Sequence, residues 1–270
     1  MTALGEVFDV AQFGGKAVQL GEALRAGLPV PEGFALSTSS VDGLVNGDGT
    51  TLDALRRLTG ALKQSVAVRS SAVGEDSAGA SFAGQHATCL HVEPCVDAIV
   101  EAVHRVWASG RTESALAYRR RLGIAGAPQV GIVVQRMIEP SVAGVLFSRD
   151  PVSGEDVRVI EAAWGLGEAV VAGLVSPDRF RVARHGVVLE RHAGFKDLLV
   201  CRSDGGGTTH VEITDHRAEA LCLDDGQLFA LHRLAERCEA VYGGGQDLEW
   251  AFAELELFLL QRRPITSARD

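Results

Sequence analysis

A change of pattern near Gln129 constrains the fold of this 270-residue chain more than any other feature of its sequence. Before that point, apolar residues recur mostly at helical spacing, as in KAVQLGEALRAG, TLDALRRLTGALKQ, and the pair PCVDAIVEAVHRVWAS and TESALAYRRRLG. After it come the strand-like runs QVGIVVQRMI, AGVLFS and VRVIEAAW, and a hairpin around His185 and Gly186. This order predicts an α+β chain with two lobes, residues 1–134 and 135–270.

Shorter signals refine this pattern. SVAVRSS and ATCLHV are predicted as strands in the first half, and QDLEWAF and LELFLLQ as a final strand pair. DDGQLFALHRLAERCEAVYG is predicted as an amphipathic helix. Thr50 and Asp53 resemble a capping box at the start of TLDALRRLTGALKQ, and Pro94 is expected near the first turn of the next helix.

Composition excludes several classes of protein. A formal net charge of −9 repels nucleic acid, so no nucleic-acid partner is expected. The five cysteines are scattered without metal-ligand spacing, which predicts reduced thiols. The first ten residues lack the basic and apolar regions of a signal peptide, and no apolar run approaches the roughly 20 residues that span a bilayer. We therefore expect a cytoplasmic protein without a membrane partner.

The segment from Gly14 to Lys16 favours an anionic ligand. Its two glycines and lysine lie at the start of a predicted helix, where free backbone amides and the positive helix end attract anions. Because Ala17 follows the lysine and the earlier glycine spacing is missing, this is not a Walker A loop. Taken alone, an ordinary N-terminal turn explains the segment equally well.

Arg69 leaves a predicted strand just before a run of small residues. An arginine at a strand end can bind phosphate or carboxylate through two hydrogen bonds. The alternative is a salt bridge to Glu75 or Asp76. The glycines and alanines of residues 74–84 favour a phosphate-covering lid, because backbone can approach a ligand closely there.

Glu249 and Gln261 fall on the final strand pair, and Arg263 follows. Twelve residue steps separate the first two, an even number, so a compact hairpin places both side chains on one face. A carboxylate and an amide oxygen are hard ligands suited to Mg²⁺, and Arg263 would stabilise charge on a transferring phosphoryl group. The alternative is an exposed edge hairpin with an ordinary salt bridge.

These segments together resemble a known family. FGGKAVQLGEALRAGLPVPEGFALS, VAVRSSAVGEDSAGASFAGQHAT, IVVQRM, AGVLFSRDPVSG, IEAAWGLGEAVVAGLVSPD, and QDLEWAF with LLQRRPIT occur in this order between about residues 14 and 266. They are similar to the nucleotide-binding domain of the pyruvate phosphate dikinase group, which includes phosphoenolpyruvate synthase and rifampin phosphotransferase.

The resemblance implies an ATP-grasp fold in which two lobes hold Mg·ATP between them. It implies that a set of residues contacts the phosphates: Lys16, Arg69, Gly84 and Thr88. Gln135 would lie beside the adenine. Glu249 and Gln261 would bind Mg²⁺, and Arg263, with Lys16 and Arg69, would act in catalysis.

Two departures from the family affect the expected function. The segment between Thr38 and Arg69 is shorter than in the family, so helices of the first lobe are expected to be missing. None of the eight histidines lies in a phosphocarrier motif, so we expect a separate phosphohistidine or acceptor-domain protein as partner. The alternatives are an ATP-grasp kinase that acts directly on a small molecule of unknown identity and a non-catalytic nucleotide-binding module.

Overall fold

The chain divides into two compact units. The first comprises Met1–Arg25, Pro31–Met137 and Asp204–Gly207, and the second Ala26–Val30, Ile138–Ser203 and Thr208–Asp270. The computed structural model describes residues 1–72, 76–77, 80–81, 87–121 and 126–265, without the side chains of 76, 77, 80, 81 and 118. The lobes predicted over 1–134 and 135–270 stay a prediction, because short segments of each half belong to the other unit.

The first unit is a mixed helical and antiparallel structure. Its helices are α1 (Val10–Phe13), α2 (Gly15–Arg25), α3 (Thr38–Val45), α4 (Gly49–Thr59), α5 (Val96–Ser109) and α6 (Glu113–Arg121). Its strands are β1 (Thr2–Ala3), β2 (Gly33–Leu36), β3 (Val66–Ala72), β4 (Asp76–Ser77), β5 (Ala80–Ser81), β6 (Thr88–Val92) and β7 (Val130–Arg136). Five strands form one sheet in the order β1-β2-β7-β3-β6, and β4 pairs with β5.

The core of the first unit lies between this sheet and the helices α3, α4 and α5. A continuous apolar cluster joins Val68 and Ile132 of the sheet to Val41, Leu55 and Ile99 of the three helices, and all five side chains are buried. Burial of apolar surface contributes roughly 25 cal/mol per Å², so this cluster is a principal source of stability for the unit. The predicted strands SVAVRSS and ATCLHV are confirmed as β3 and β6.

Two predicted helix starts in the first unit are wrong. Helix α4 begins at Gly49, and the cap is Asp48, whose carboxylate accepts from the backbone amide of Thr51 at 2.8 Å. The predicted Thr50 capping box therefore does not form, since Asp48 already supplies the oxygen. Helix α5 begins after Cys95, so Pro94 precedes the helix cap and does not occupy the first turn.

The second unit is built on a larger antiparallel sheet. Its strands are β8 (Val142–Phe147), β9 (Val157–Trp164), β10 (Asp178–Ala183), β11 (Val188–His192), β12 (Leu198–Arg202), β13 (Thr208–Glu212), β14 (Gln246–Ala253) and β15 (Glu256–Pro264). Its helices are α7 (Glu168–Val171) and α8 (Asp225–Tyr242). The six-stranded order is β11-β10-β9-β8-β14-β15, and β12 pairs with β13. The predicted hairpin at His185 and Gly186 and the predicted final strand pair are both confirmed.

Helix α8 is bound to the sheet by apolar packing and by a charged network. The helix starts with a capping box between Asp224 and Gln227. A buried arginine of β9, Arg158, donates from Nε to Nδ1 of His232 at 3.0 Å and from Nη1 to Glu239 at 3.4 Å. Arg184 donates to the same Glu239 carboxylate at 2.8 Å. Two turns of α8 are thereby joined to the sheet through the guanidinium groups of two arginines.

A second buried ion pair organises the segment that follows β11. Lys196 and Asp178 are both fully buried, with Nζ and Oδ1 2.5 Å apart. Asp178 also accepts from the backbone amides of Gly194 at 2.8 Å and Cys222 at 2.7 Å. Because a buried ion pair is tolerated only when its hydrogen-bonding capacity is satisfied, these contacts explain how both charges are accommodated.

The α+β class is confirmed by these elements. All five cysteines are free, as their spacing predicted. Within the described part of the chain, each helix is too short or too polar to traverse a bilayer.

Candidate functional site

The β14–β15 hairpin brings four polar side chains onto neighbouring rungs of the same face. Glu249 lies directly opposite Gln261, and Asp247 lies opposite Arg263. Residues two apart on a strand share a face, and opposed residues of an antiparallel pair share it too. The predicted pairing of Glu249 with Gln261 is therefore confirmed, and Asp247 and Arg263 join them in one cluster on the hairpin.

The turn and a bulge set this register. Glu254, at φ 54°, and Leu255 connect the strands, with Ala253 opposite Glu256. The register then shifts after Trp250, so that Leu260 is the extra residue of a β-bulge. Beyond the bulge the pairing is regular. Because Leu260 is bulged, Glu249 and Gln261, which are an even number of residues apart, lie directly opposite each other.

Burial and charge act in opposite directions on Asp247. The side chain is buried, and this burial raises the pKa of Asp247 above its ordinary value of 3.8. Arg263 opposes the increase by charge and by a hydrogen bond, Nε to Oδ2 at 2.5 Å, whereas the nearby Glu249 carboxylate adds to it. Additional positive charge at this cluster would be favoured, because it would relieve the repulsion between the two carboxylates.

A third carboxylate faces the same side of the sheet. Glu249 is paired with Val145 of β8, and Val145 is paired in turn with Glu161 of β9. Glu161 therefore occupies the same rung, two strands from Glu249. Sequence reasoning missed Glu161 and Asp247. The available signals were a carboxylate inside the apolar strand VRVIEAAW and the i, i+2 spacing of two carboxylates in QDLEWAF.

The described residues fit a magnesium ion that takes most of its ligands from a phosphate and water. The hairpin offers a carboxylate and an amide oxygen side by side, which are hard donors of the kind that Mg²⁺ prefers. Across the described ranges, no three His, Cys, Asp or Glu side chains gather into a self-sufficient metal centre. This donor set suits a metal that arrives with its substrate.

In the first unit, the predicted phosphate-contacting residues lie on β3, β6 and the start of α2. Lys16 occupies the first turn of α2 and is 7% exposed. Arg69 of β3 is 9% exposed and lies opposite Thr88 of β6. The antiparallel pairing thus brings Arg69 and Thr88 together. Gly84 lies outside the described residues.

Gln135 is in β7, between β2 and β3. Its backbone pairs with Gly33 on one side and Ala67 on the other. Its buried side chain donates from Nε2 to the carbonyl oxygen of Pro31 at 2.8 Å. This hydrogen bond joins the end of β7 to the segment before β2. It uses one amide hydrogen of the Gln135 side chain, so the predicted adenine contact would use the other groups of that residue.

A known family model matches most of this chain. The AMP/ATP-binding domain of pyruvate phosphate dikinase matches residues 49–270. The chain belongs to this family. The relatives include a rifampicin phosphotransferase of Streptomyces sviceus, which is 37% identical over 303 aligned residues that cover 96% of this chain and 35% of that protein. The alignment is longer than the chain itself, so this relative has segments that are lacking here.

Other relatives have names that indicate different activities. A probable phosphoenolpyruvate synthase of Methanothermobacter thermautotrophicus is 34% identical, covering 96% of this chain and 44% of that protein. The prodigiosin synthesizing transferase PigC of Serratia marcescens is 35% identical, and the match covers 95% of this chain and 32% of that protein. This family member thus spans less than half the length of these curated relatives. Among solved structures, PH1788 of Pyrococcus horikoshii covers 97% of this chain and 95% of that chain at 12% identity, with a TM-score of 0.44.

Proposed function

We propose that this dikinase-family chain is an ATP-grasp domain that binds Mg·ATP and catalyses phosphoryl transfer to a histidine on a separate carrier protein. The observation that supports it best is the hairpin pairing of Glu249 with Gln261, next to that of Asp247 with Arg263. Metal ligands and a phosphate-stabilising cation must lie within a few ångströms of each other, and adjacent rungs of one hairpin meet this requirement.

In this proposal one set of residues binds the metal and another contacts the phosphates. Glu249 and Gln261 of the second unit hold Mg²⁺, and Arg263 engages the phosphoryl oxygens while its Nε bond to Asp247 orients the guanidinium. Lys16, Arg69 and Thr88 of the first unit, with Gly84, contact the phosphates, and Gln135 lies beside the adenine. When bound, the Mg²⁺ neutralises charge on the phosphate oxygens.

The carrier histidine is the finer part of the proposal. It is supported by the family, whose curated relatives extend well beyond the matched region. The histidine nitrogen attacks a phosphorus atom of ATP, the bond from that phosphorus to the bridging oxygen on its nucleoside side breaks, and the AMP or ADP that carries this oxygen leaves. We place the protein in the cytoplasm, where ATP is abundant.

Calorimetry with Mg·ATP tests the nucleotide site. Glu249→Gln removes the carboxylate charge and is expected to weaken Mg·ATP binding at least about tenfold, on the order of 1.4 kcal/mol. Glu256→Gln, on an exposed residue of the same hairpin, is the matched control and is expected to bind like the wild type. Folded wild-type protein that shows no magnesium-dependent uptake of ATP would contradict the proposal.

Labelled ATP tests the acceptor. With a phosphohistidine-domain protein present, we expect label from ATP on that protein as an acid-labile phosphohistidine. Label transferred to a small molecule without a carrier would instead indicate a kinase that acts directly on that molecule. Tight ATP binding with no turnover under either condition would indicate a nucleotide-binding module.

A further inference from the structure

Helix α2 and strand β3 are joined at one buried point. The backbone amide of Ala17 donates to Oγ of Ser71 at 2.9 Å, in a bond between residues 54 apart in sequence. Amides of the first helical turn have no partner within the helix, and a side-chain oxygen usually caps them from the preceding loop. Here the oxygen comes from β3, an inner strand of the sheet, and Ser71 is 0% exposed.

Around this hydrogen bond the backbone segments approach each other so closely that Gly14 and Gly131 have no room for a Cβ atom. Gly14, which precedes α2, has φ +80°, and a Cβ atom there would lie 1.7 Å from the carbonyl oxygen of Ser71. Gly131 is paired with Ser71 on β7, and a Cβ atom there would lie 2.4 Å from the carbonyl oxygen of Phe13. The turn before α2 therefore lies directly on the backbone of β3 and β7.

This contact lies next to two buried cations of the first unit. Lys16 immediately precedes Ala17, and Arg69 is two residues before Ser71 on the same face of β3. A shift of the α2 start relative to β3 would move Lys16 relative to Arg69. Misplacement by about 1 Å is enough to impair the action of charged groups on a substrate.

We propose that Ser71 is a positioning residue, whose Oγ holds the start of α2 on β3 so that Lys16 and Arg69 keep the spacing that a polyphosphate requires. The proposal rests on the proposed ATP function. Ser71 itself contacts no nucleotide in this account, and acts through the helix that it caps.

The test compares two buried serine caps of the same unit. Ser71→Ala removes the acceptor of the Ala17 amide. Ser37→Ala removes the acceptor of the Ser40 amide, 3.1 Å away at the start of α3, and is the matched control. We expect Ser71→Ala to raise the Kd of Mg·ATP about tenfold and to leave the Kd of adenosine unchanged, since only the phosphate contacts shift. Ser37→Ala is expected to lower the melting temperature without changing either Kd.

Unchanged ATP affinity in folded Ser71→Ala would overturn the proposal, and so would equal weakening by the two serine variants. If Lys16→Met loses ATP binding while Ser71→Ala does not, this inference fails and the proposed function stands. If the wild type binds no ATP, both fail. Should Ser71→Ala not fold, hydrogen exchange in the wild type decides: an Ala17 amide that exchanges as fast as an exposed amide contradicts the hydrogen bond, and a protected one supports it.

Discussion

The two units attach a helix to a sheet by opposite means. In the first, Gly14 and Ser71 let the backbone at the start of α2 approach β3 through neutral groups. In the second, the long side chain of Arg158 extends from β9 to His232 and Glu239 of α8. Close backbone contact leaves no volume for a Cβ atom, whereas long side chains need complementary charges. We therefore expect the stability of the first attachment to depend on side-chain volume, and that of the second to depend on side-chain charge and on pH.

Loss of the Glu239 carboxylate should have the largest effect on the charged attachment. Glu239→Gln removes the carboxylate that is ion-paired with the guanidinium of Arg158, which is 1% exposed. Removing one partner of a buried ion pair costs about 3–5 kcal/mol in the free energy of unfolding, which urea denaturation measures. Asp53→Asn is the control, because Asp53 pairs with Arg56 on the surface and its loss should cost below about 0.5 kcal/mol. Similar losses for the two variants would mean that burial does not distinguish the pairs.

A methyl group at Gly14 should have the next largest effect. Gly14→Ala places a Cβ atom against the carbonyl oxygen of Ser71 and imposes a left-handed φ on alanine. Strain and overpacking together should cost about 2–4 kcal/mol. Gly47→Ala is matched in φ, at +72°, with nothing within 4 Å of its Cβ, so it isolates the strain at about 1 kcal/mol. Equal unfolding free energies for these variants would contradict the close approach of α2 to β3.

Acidification should have the smallest effect, confined to the charged attachment. Burial, followed by the positive charge of Arg158, lowers the pKa of His232 below its ordinary 6.5, while Glu236 opposes this change. The folded state thus binds the proton less readily than the unfolded chain. The stability that neutral His232 contributes is present above about pH 6.5 and is lost as the pH falls towards the folded pKa. Urea denaturation at pH 7.5 and 5.5 should show that His232→Gln loses less unfolding free energy on acidification than the wild type does. The glutamine amide oxygen can still accept from Arg158. If the variant and the wild type lose the same unfolding free energy on acidification, other groups cause the pH dependence.

Long apolar strands were predictable, and short elements were not. The strands β3, β7, β14 and β15 follow runs of apolar residues whose burial outweighs local preference. Helix α3 was missed because TSSVDGLV has weak helical propensity; the cap at Ser37 and the burial of Val41 and Leu44 stabilise it. The β12–β13 hairpin was also missed, and its strands are largely exposed, so they lack a strong alternating pattern.

The candidate site was predictable to the extent that it is local. Even spacing within one hairpin was enough to pair Glu249 with Gln261. The pairing of Asp247 with Arg263 follows from the same register, but the role of Asp247 became visible only from its burial and its ion pair. Glu161 required the order of three strands, which no local pattern contains.

The sequence by itself determined the α+β class and the residue types available for phosphate and metal, because these depend on composition, periodicity and spacing along the chain, and its ordered motifs carried the resemblance to the family. Only the tertiary structure decided which strand lies beside which, that Ser71 caps a helix 54 residues away, and that Arg158 is bound to two turns of α8. These contacts join residues far apart in sequence, and their free energies depend on burial and distance, which exist only once the chain has folded.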